Sequence, residues 1–263
     1  MIDVFDLHKS FASGRGKARK QVSAVCGVTF TAPDGAITGM VGPNGAGKTT
    51  TLRMIATLVA PEQGIATVDG LDSVRDARAV RSRLGVLSDA RGLYTRLTAR
   101  ENIRYYGRLR GMSDESIEAA TENIAELIEM KSLLDRRTEG FSQGERMKVA
   151  IARALVHDPN NLVLDEPSNG LDIMSTRALR GLMRHLRAAG KCLLMSSHIM
   201  QEVAALSDRI VVIAHGRTIA SGTPDELVEL SGTRSLEDAF ISLSTESALT
   251  EEFDVADPRE SSQ

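Results

Sequence analysis

The chain has 263 residues, a length that suits one domain or two, and its 42% apolar and 25% charged residues are ordinary globular composition. Its 32 Lys and Arg against 35 Asp and Glu leave a net charge of −3, which gives no sign of a general polyanion-binding surface. No apolar run approaches the roughly 20 residues of a membrane helix, and the N-terminus lacks the basic and apolar regions of a signal peptide. The chain is therefore not expected to cross a membrane by itself. Cys26 and Cys192 stand in apolar stretches without CxxC spacing, so both are expected to be reduced core residues.

In chain order, 3–11 and 22–31 read as a hairpin or small antiparallel sheet, with a basic, glycine-containing tip at 13–20. A strand at 37–41 leads through a glycine loop into a helix over 48–59. Residues 98–134 are helical in character, with Ile117, Ala120, Ile124, Leu127 and Ile128 on one apolar stripe. They read as a helical insertion at about 92–140. A helix over 146–155 and a strand at 161–164 follow. In the helix 176–188, Leu179, Leu182, Met183 and Leu186 fall at i, i+3, i+4 and i+7, and Gly190 stops it before a strand at 191–196. Strand, crossover helix, parallel strand is the α/β pattern. The domain is expected to span 1–243, and 244–263 to be an acidic, disordered tail.

Gly42-Pro43-Asn44-Gly45-Ala46-Gly47-Lys48-Thr49-Thr50 satisfies G-x4-G-K-[ST] between a strand and a helix. Such a loop turns backbone N–H groups around a phosphate at the positive end of the helix dipole. Lys48 is placed to reach the β- and γ-phosphates, and the Thr49 hydroxyl to hold Mg²⁺. The strand Leu162-Val163-Leu164 ends in Asp165 and Glu166, where a parallel sheet holds a nucleotide's metal. Asp165 suits the Mg²⁺ shell; Glu166 suits polarising an attacking water. Phe141-Ser142-Gln143-Gly144-Glu145 has two open readings: a capping box, or a second anion site at a helix N-terminus.

The order GPNGAGKTT, FSQGE, LVLDEPSNGLD, then Ser196-Ser197-His198 resembles the ATP-binding subunits of ABC transporters, from about Asp3 to Leu243. The resemblance implies that Ser142 and Gly144 contact the γ-phosphate bound by a second subunit. It also implies that Asp172, in Asn169-Gly170-Leu171-Asp172, belongs to the loop crossing the dimer interface, and that His198 senses the γ-phosphate. Phe11 falls where the family has an aromatic that stacks on adenine; read alone it is as readily a core residue of the N-terminal sheet. Asp89 stands where the family has a metal-binding Gln, and FSQGE replaces LSGGQ. These departures, with Ser235-Leu236-Glu237-Asp238-Ala239-Phe240, look like the single-domain subunits that include sodium-extruding and drug-resistance exporters.

The expected architecture is an α/β phosphate-loop NTPase core with an N-terminal antiparallel β subdomain and an inserted helical subdomain. The expected function is binding and hydrolysis of ATP with Mg²⁺, in a head-to-tail dimer, at the cytoplasmic face of the membrane. Output goes to a separate integral membrane permease subunit docked on 96–106. The alternative, a soluble ABC-type ATPase acting on DNA or ribosomes, usually carries a long coiled-coil insertion or two ATPase units. This chain has one phosphate loop and no such insertion, so no nucleic-acid partner is expected. A small-molecule kinase would need neither the signature motif nor His198.

Overall fold

The computed structural model describes residues 1–13, 20–88 and 92–254. Strand β1 (Ile2–Ser13) runs antiparallel to β2 (Lys20–Ala32), as the hairpin reading expects. Strand β3 (Ile37–Val41) enters the phosphate loop, and α1 (Lys48–Ile55) leaves it. The helix stops earlier than the expected residue 59 because Thr57 takes a left-handed φ of 62°. Strands β4 (Gln63–Val68) and β5 (Leu71–Asp72), helix α2 (Ala77–Arg83) and strand β6 (Leu84–Leu87) follow. Next come α3 (Ala99–Leu109), α4 (Asp114–Leu127), α5 (Gln143–Leu155), β7 (Asn161–Asp165), α6 (Ile173–Ala188) and β8 (Cys192–Ser197). The chain continues through α7 (Met200–Leu206), β9 (Arg209–Ala214), β10 (Arg217–Gly222), α8 (Pro224–Ser231) and α9 (Leu236–Asp254).

Two sheets divide the work. A four-stranded antiparallel sheet has the order β2-β1-β4-β5, and a six-stranded sheet has the order β10-β9-β3-β8-β7-β6. In the second, β9 to β6 are parallel and β10 is an antiparallel edge. Alternation along the central strands feeds two cores. Leu162, Leu164, Leu193 and Met195 face a core shared with α3 to α6. Val163, Cys192 and Leu194 face a core shared with α1 and the antiparallel sheet. Burial on both faces explains why these strands read as unbroken apolar runs. Cys192 is fully buried, which pushes its thiol up to about 12, whereas Cys26 is only half-buried.

The inserted segment is helical as expected and carries two helices, α3 and α4. α3 opens on a capping box, Thr98 with Glu101, and α4 on Ser113. In α4 the buried stripe is Ile117, Thr121, Ala125 and then Ile128; Leu127, expected on it, is exposed. Glu118 and Glu122 turn instead to Arg100, and Glu118 also pairs with Arg104. At the C-terminus α9 carries helical backbone to Asp254, past the point where a disordered tail is expected to begin. Its Leu236, Phe240 and Leu243 pack on the core beside β9 and β10, with Ala239 buried, and this docking anchors the helix. Residues 255–263 lie outside the described residues.

Gly107 of α3 lies against Ile117 of α4, and a Cβ there would come within 2.5 Å of the Ile117 Cγ1. A β-branched side chain in a helix has little χ1 freedom to retreat. Gly107→Ala gains about 1 kcal/mol of helix propensity but incurs about 1–3 kcal/mol of overpacking, so we expect net destabilisation in urea unfolding. Adding Ile117→Val should recover part of the loss.

Candidate functional site

Parallel strands release their chains at one edge, and the register here brings three of them level. Val41 pairs with Ser197, and Asp165 with Ser196. The phosphate loop leaves β3 at this edge. Gly42 is required there: a Cβ would lie 2.0 Å from the Ile213 carbonyl oxygen. Gly47, the N-cap of α1, has φ 102°, and its Cβ would meet the Ala24 oxygen at 2.5 Å. The loop is pinned from behind, since Gly216 N donates to the Ala46 oxygen and Cys26 N to the Gly216 oxygen.

Lys48 is buried and folds back over the loop, donating to the carbonyls of Gly42 at 2.6 Å and Pro43 at 3.1 Å. Desolvation lowers its pKa, opposed by the charges of Glu166 and Asp165. An ammonium has three N–H donors, so one remains for a phosphate oxygen. Thr49 Oγ1 donates to Asp165 Oδ1 at 3.2 Å, across 116 positions of sequence. Among the described residues no group of three or more His, Cys, Asp or Glu could hold a metal. The Thr49 and Asp165 oxygens nevertheless fit a hard cation that completes its shell with phosphate and water.

Glu166 takes a left-handed φ of 47°, a strained backbone for a non-glycine residue, and its N–H donates to Ser196 Oγ at 3.0 Å. Ser196 Oγ in turn donates to Asp165 Oδ1 at 2.6 Å. Glu166 Oε2 lies 2.8 Å from His198 Nδ1, so the carboxylate and the histidine form a pair at the cleft wall. That cleft, of about 570 Å³, is lined by Ala24, the loop from Asn44 to Thr50, Glu166, Asn169 and His198. A second cleft of about 650 Å³ shares Thr49, Glu166 and Asn169 and is closed by Asp165, Gln143 and Arg146.

The structure thus brings Lys48, Thr49, Thr50, Asp165, Glu166 and His198 together. It does not bring Ser142, Gly144, Asp172 or Phe11 to the phosphate-loop cleft. Ser142 caps α5 in a complete capping box with Glu145. Gly144 packs on Ser175, and Asp172 caps α6 by accepting from Ser175 N at 2.8 Å. Gln143 Nε2 donates to the Asn169 oxygen at 2.8 Å, joining the two loops within one chain. Phe11 is 44% exposed, so it is not a core residue; Lys9 Nζ lies 5.7 Å from its ring centre. Asp89 lies outside the described residues. The role of Ser196 had no signal of its own in the sequence, because a serine gains meaning only from the carboxylate it meets.

The family pattern described as ABC transporter matches residues 25–169. The chain is 44% identical over 243 residues to the ABC transporter ATP-binding protein NatA of Bacillus subtilis, covering 92% of this chain and 97% of that protein. It is 40% identical over 205 residues to the Nod factor export ATP-binding protein I of Burkholderia lata, covering 78% and 67%. Among solved structures, an ATP-binding subunit of an ABC transporter superposes with a TM-score of 0.80 at 28% identity, covering 92% of this chain and 98% of that one. A dimeric ATP-binding cassette bound to ADP and Pi in a post-hydrolysis state shares the fold, with a TM-score of 0.75 at 23% identity, covering 85% and 98%. A nucleotide loop and carboxylate edge built in this way, within likeness of such extent, make the chain a member of the ABC transporter family, an ATP-binding subunit that hydrolyses ATP.

Proposed function

We propose that this subunit binds MgATP at the end of β3 and drives export of a solute through a separate integral membrane permease. The Glu166–His198 pair facing Lys48 and Thr49 across one cleft carries the reading. Lys48, held by two carbonyls, directs its remaining N–H to the β- and γ-phosphates. Thr49 and Asp165 would hold Mg²⁺, which when bound neutralises charge on the phosphate oxygens. Glu166 orients the attacking water and accepts its proton, and His198 fixes that carboxylate and reads the γ-phosphate. Phe11, exposed on β1, offers its ring to adenine.

The site is completed by a second copy placed head to tail, with its Ser142 and Gly144 over the γ-phosphate and its Asp172 loop across the interface. Beside Asp172, Ile173 and Met174 are 86% and 71% exposed, apolar surface suited to cover by another subunit. The permease docks on 96–106 and the adjoining helices, where Tyr94 and Tyr105, packed edge to face, and the side chain of Leu109 are exposed. No helix among the described residues is long and apolar enough to cross a membrane. Docking on a permease gives the subunit its place at the cytoplasmic face. The export name of the Nod factor relatives, with the FSQGE and SLEDAF runs, supports efflux, and we assign sodium or a drug as its substrate class.

Lys48→Ala should weaken MgATP binding roughly 10–100-fold in calorimetry, the equivalent of about 1.5–3 kcal/mol for charged hydrogen bonds. Unchanged affinity would sink the assignment of the loop. Glu166→Gln keeps the site's shape but removes the base, so hydrolysis should fall about 10²–10⁴-fold while ATP now holds a dimer in size-exclusion chromatography. Mixing Ser142→Arg subunits with Lys48→Ala subunits leaves one intact site per mixed dimer. ATPase activity should reappear; silence from folded, paired mutants would leave Ser142 as a helix cap alone.

A further inference from the structure

Two adjacent serines end β8 just before His198, and each ties to the loop that follows β7. Ser196 binds Asp165 and the Glu166 N–H, as described above. Ser197 is fully buried, and its hydroxyl donates to Glu202 Oε2 at 3.3 Å while accepting from Ile199 N at 3.0 Å. The same carboxylate oxygen accepts from the Ser168 hydroxyl. Glu202 stands in the first turn of α7, and Ser168 two residues beyond Glu166. One oxygen therefore fastens the loop carrying Glu166, Asn169 and Asp172 to the loop carrying His198.

We infer that Glu202 is a positioning residue for ATP hydrolysis, a strap that sets His198 against Glu166 by holding Ser168 and Ser197 together. The inference rests on the reading of Glu166 and His198 as groups acting at the γ-phosphate. Its physical basis is reach. The Glu166–His198 contact joins two side chains that are 23% and 41% exposed and have water as a competitor. Without a second tie the two loops can separate and leave that hydrogen bond to solvent. The Ser196 tie holds Asp165 and the Glu166 N–H at the end of β7; the Glu202 tie holds Ser168, two residues further along the loop. Displacement of a catalytic group by about 1 Å can cost about 100-fold in rate. The strap also gives the loop around Asp172 a direct route to His198, because Ser168 lies on that loop.

The test is steady-state ATPase of the purified full-length subunit, with thermal unfolding as a fold control. Glu202→Ala should lower kcat about 10–100-fold and change KM less than about threefold, because no contact to nucleotide is lost. Glu202→Gln keeps an oxygen that two hydroxyls can reach and should restore most of the activity; Glu202→Asp, one methylene short, should not. Ser168→Ala should lower kcat in the same sense, and the double variant Ser168→Ala/Glu202→Ala should be no worse than the poorer single one. The strap is overturned if folded Glu202→Ala turns over within about twofold of the parent, if Ser168→Ala is silent, or if Glu202→Gln is as poor as Glu202→Ala. If instead the underlying reading is at fault, Glu166→Gln keeps its turnover; failure of the strap alone leaves Glu166→Gln inactive.

Discussion

The register of the parallel sheet is the constraint on which the site depends. Leu162 and Leu164 must face one core while Val163 faces the other, and the same division holds between Leu193 with Met195 and Cys192 with Leu194. A slip of one residue would exchange these sets between faces of different depth and shape. Each fully buried aliphatic side chain contributes about 1.5–3 kcal/mol, so packing fixes the register far more firmly than any polar contact at the edge could. Because the register is fixed, Asp165 lies level with Ser196 and Val41 level with Ser197. Groups 116 positions apart in sequence then meet within hydrogen-bond distance without any contact of their own having to bring the strands together.

The parts of this arrangement that were legible in the sequence are those carried by local pattern. β3 and β7 lie almost where their apolar runs place them, and the phosphate loop is where its glycines and Lys48 require. β4 was not anticipated: Gln63–Val68 contains Gly64 and has little alternation, and its place in the sheet comes from pairing with β1, far off in the chain. The early end of α1 depends on one left-handed residue, Thr57, which no periodicity announces. Leu127 fits the apolar spacing of α4, yet the helix packs its Ile117–Thr121–Ala125 side inward against the core and leaves Leu127 off that stripe. In the site, Glu166 and His198 were legible as separate groups, but their contact was not. Nor were the hydroxyls of Ser168, Ser196 and Ser197, whose partners lie on other strands and helices.

The helical insertion shows which polar contacts matter. Arg108 meets Asp114 in an exposed pair worth about 0–1 kcal/mol, whereas Arg100, 21% exposed, gathers Glu118, Glu122 and Asp135 at the rim of the insertion. The helices are held by Ile103, Ile117 and Met130 against Val149 and Ile151 of α5 and its surroundings. Polar links from this insertion to the core are of another kind. Arg153 of α5 donates to the Gly92 oxygen and stacks 4.1 Å over Tyr106, and Arg110 donates to the Arg81 carbonyl. These links are guanidinium contacts to carbonyls and an aromatic face rather than ion pairs.

The departure of the signature run from LSGGQ also has a local explanation. Ser142 accepts from Glu145 N at 3.2 Å, and Glu145 Oε2 accepts from Ser142 N at 2.8 Å. A hydroxyl has one donor and two acceptor sites, so capping leaves the Ser142 O–H available to a phosphate oxygen. The capping and anion readings are therefore compatible in one residue. A carboxylate at Glu145 would repel that phosphate if it stood alone, and the Ser142 N–H holds its pKa down, so it stays charged. Arg136 supplies the compensation, with Nη1 at 3.1 Å from Glu145 Oε1 and its guanidinium 5.2 Å from the Phe141 ring centre. Phe141, Glu145 and Arg136 thus act as a set: the aromatic of FSQGE seats the arginine, and the arginine cancels the acid that the family pattern lacks.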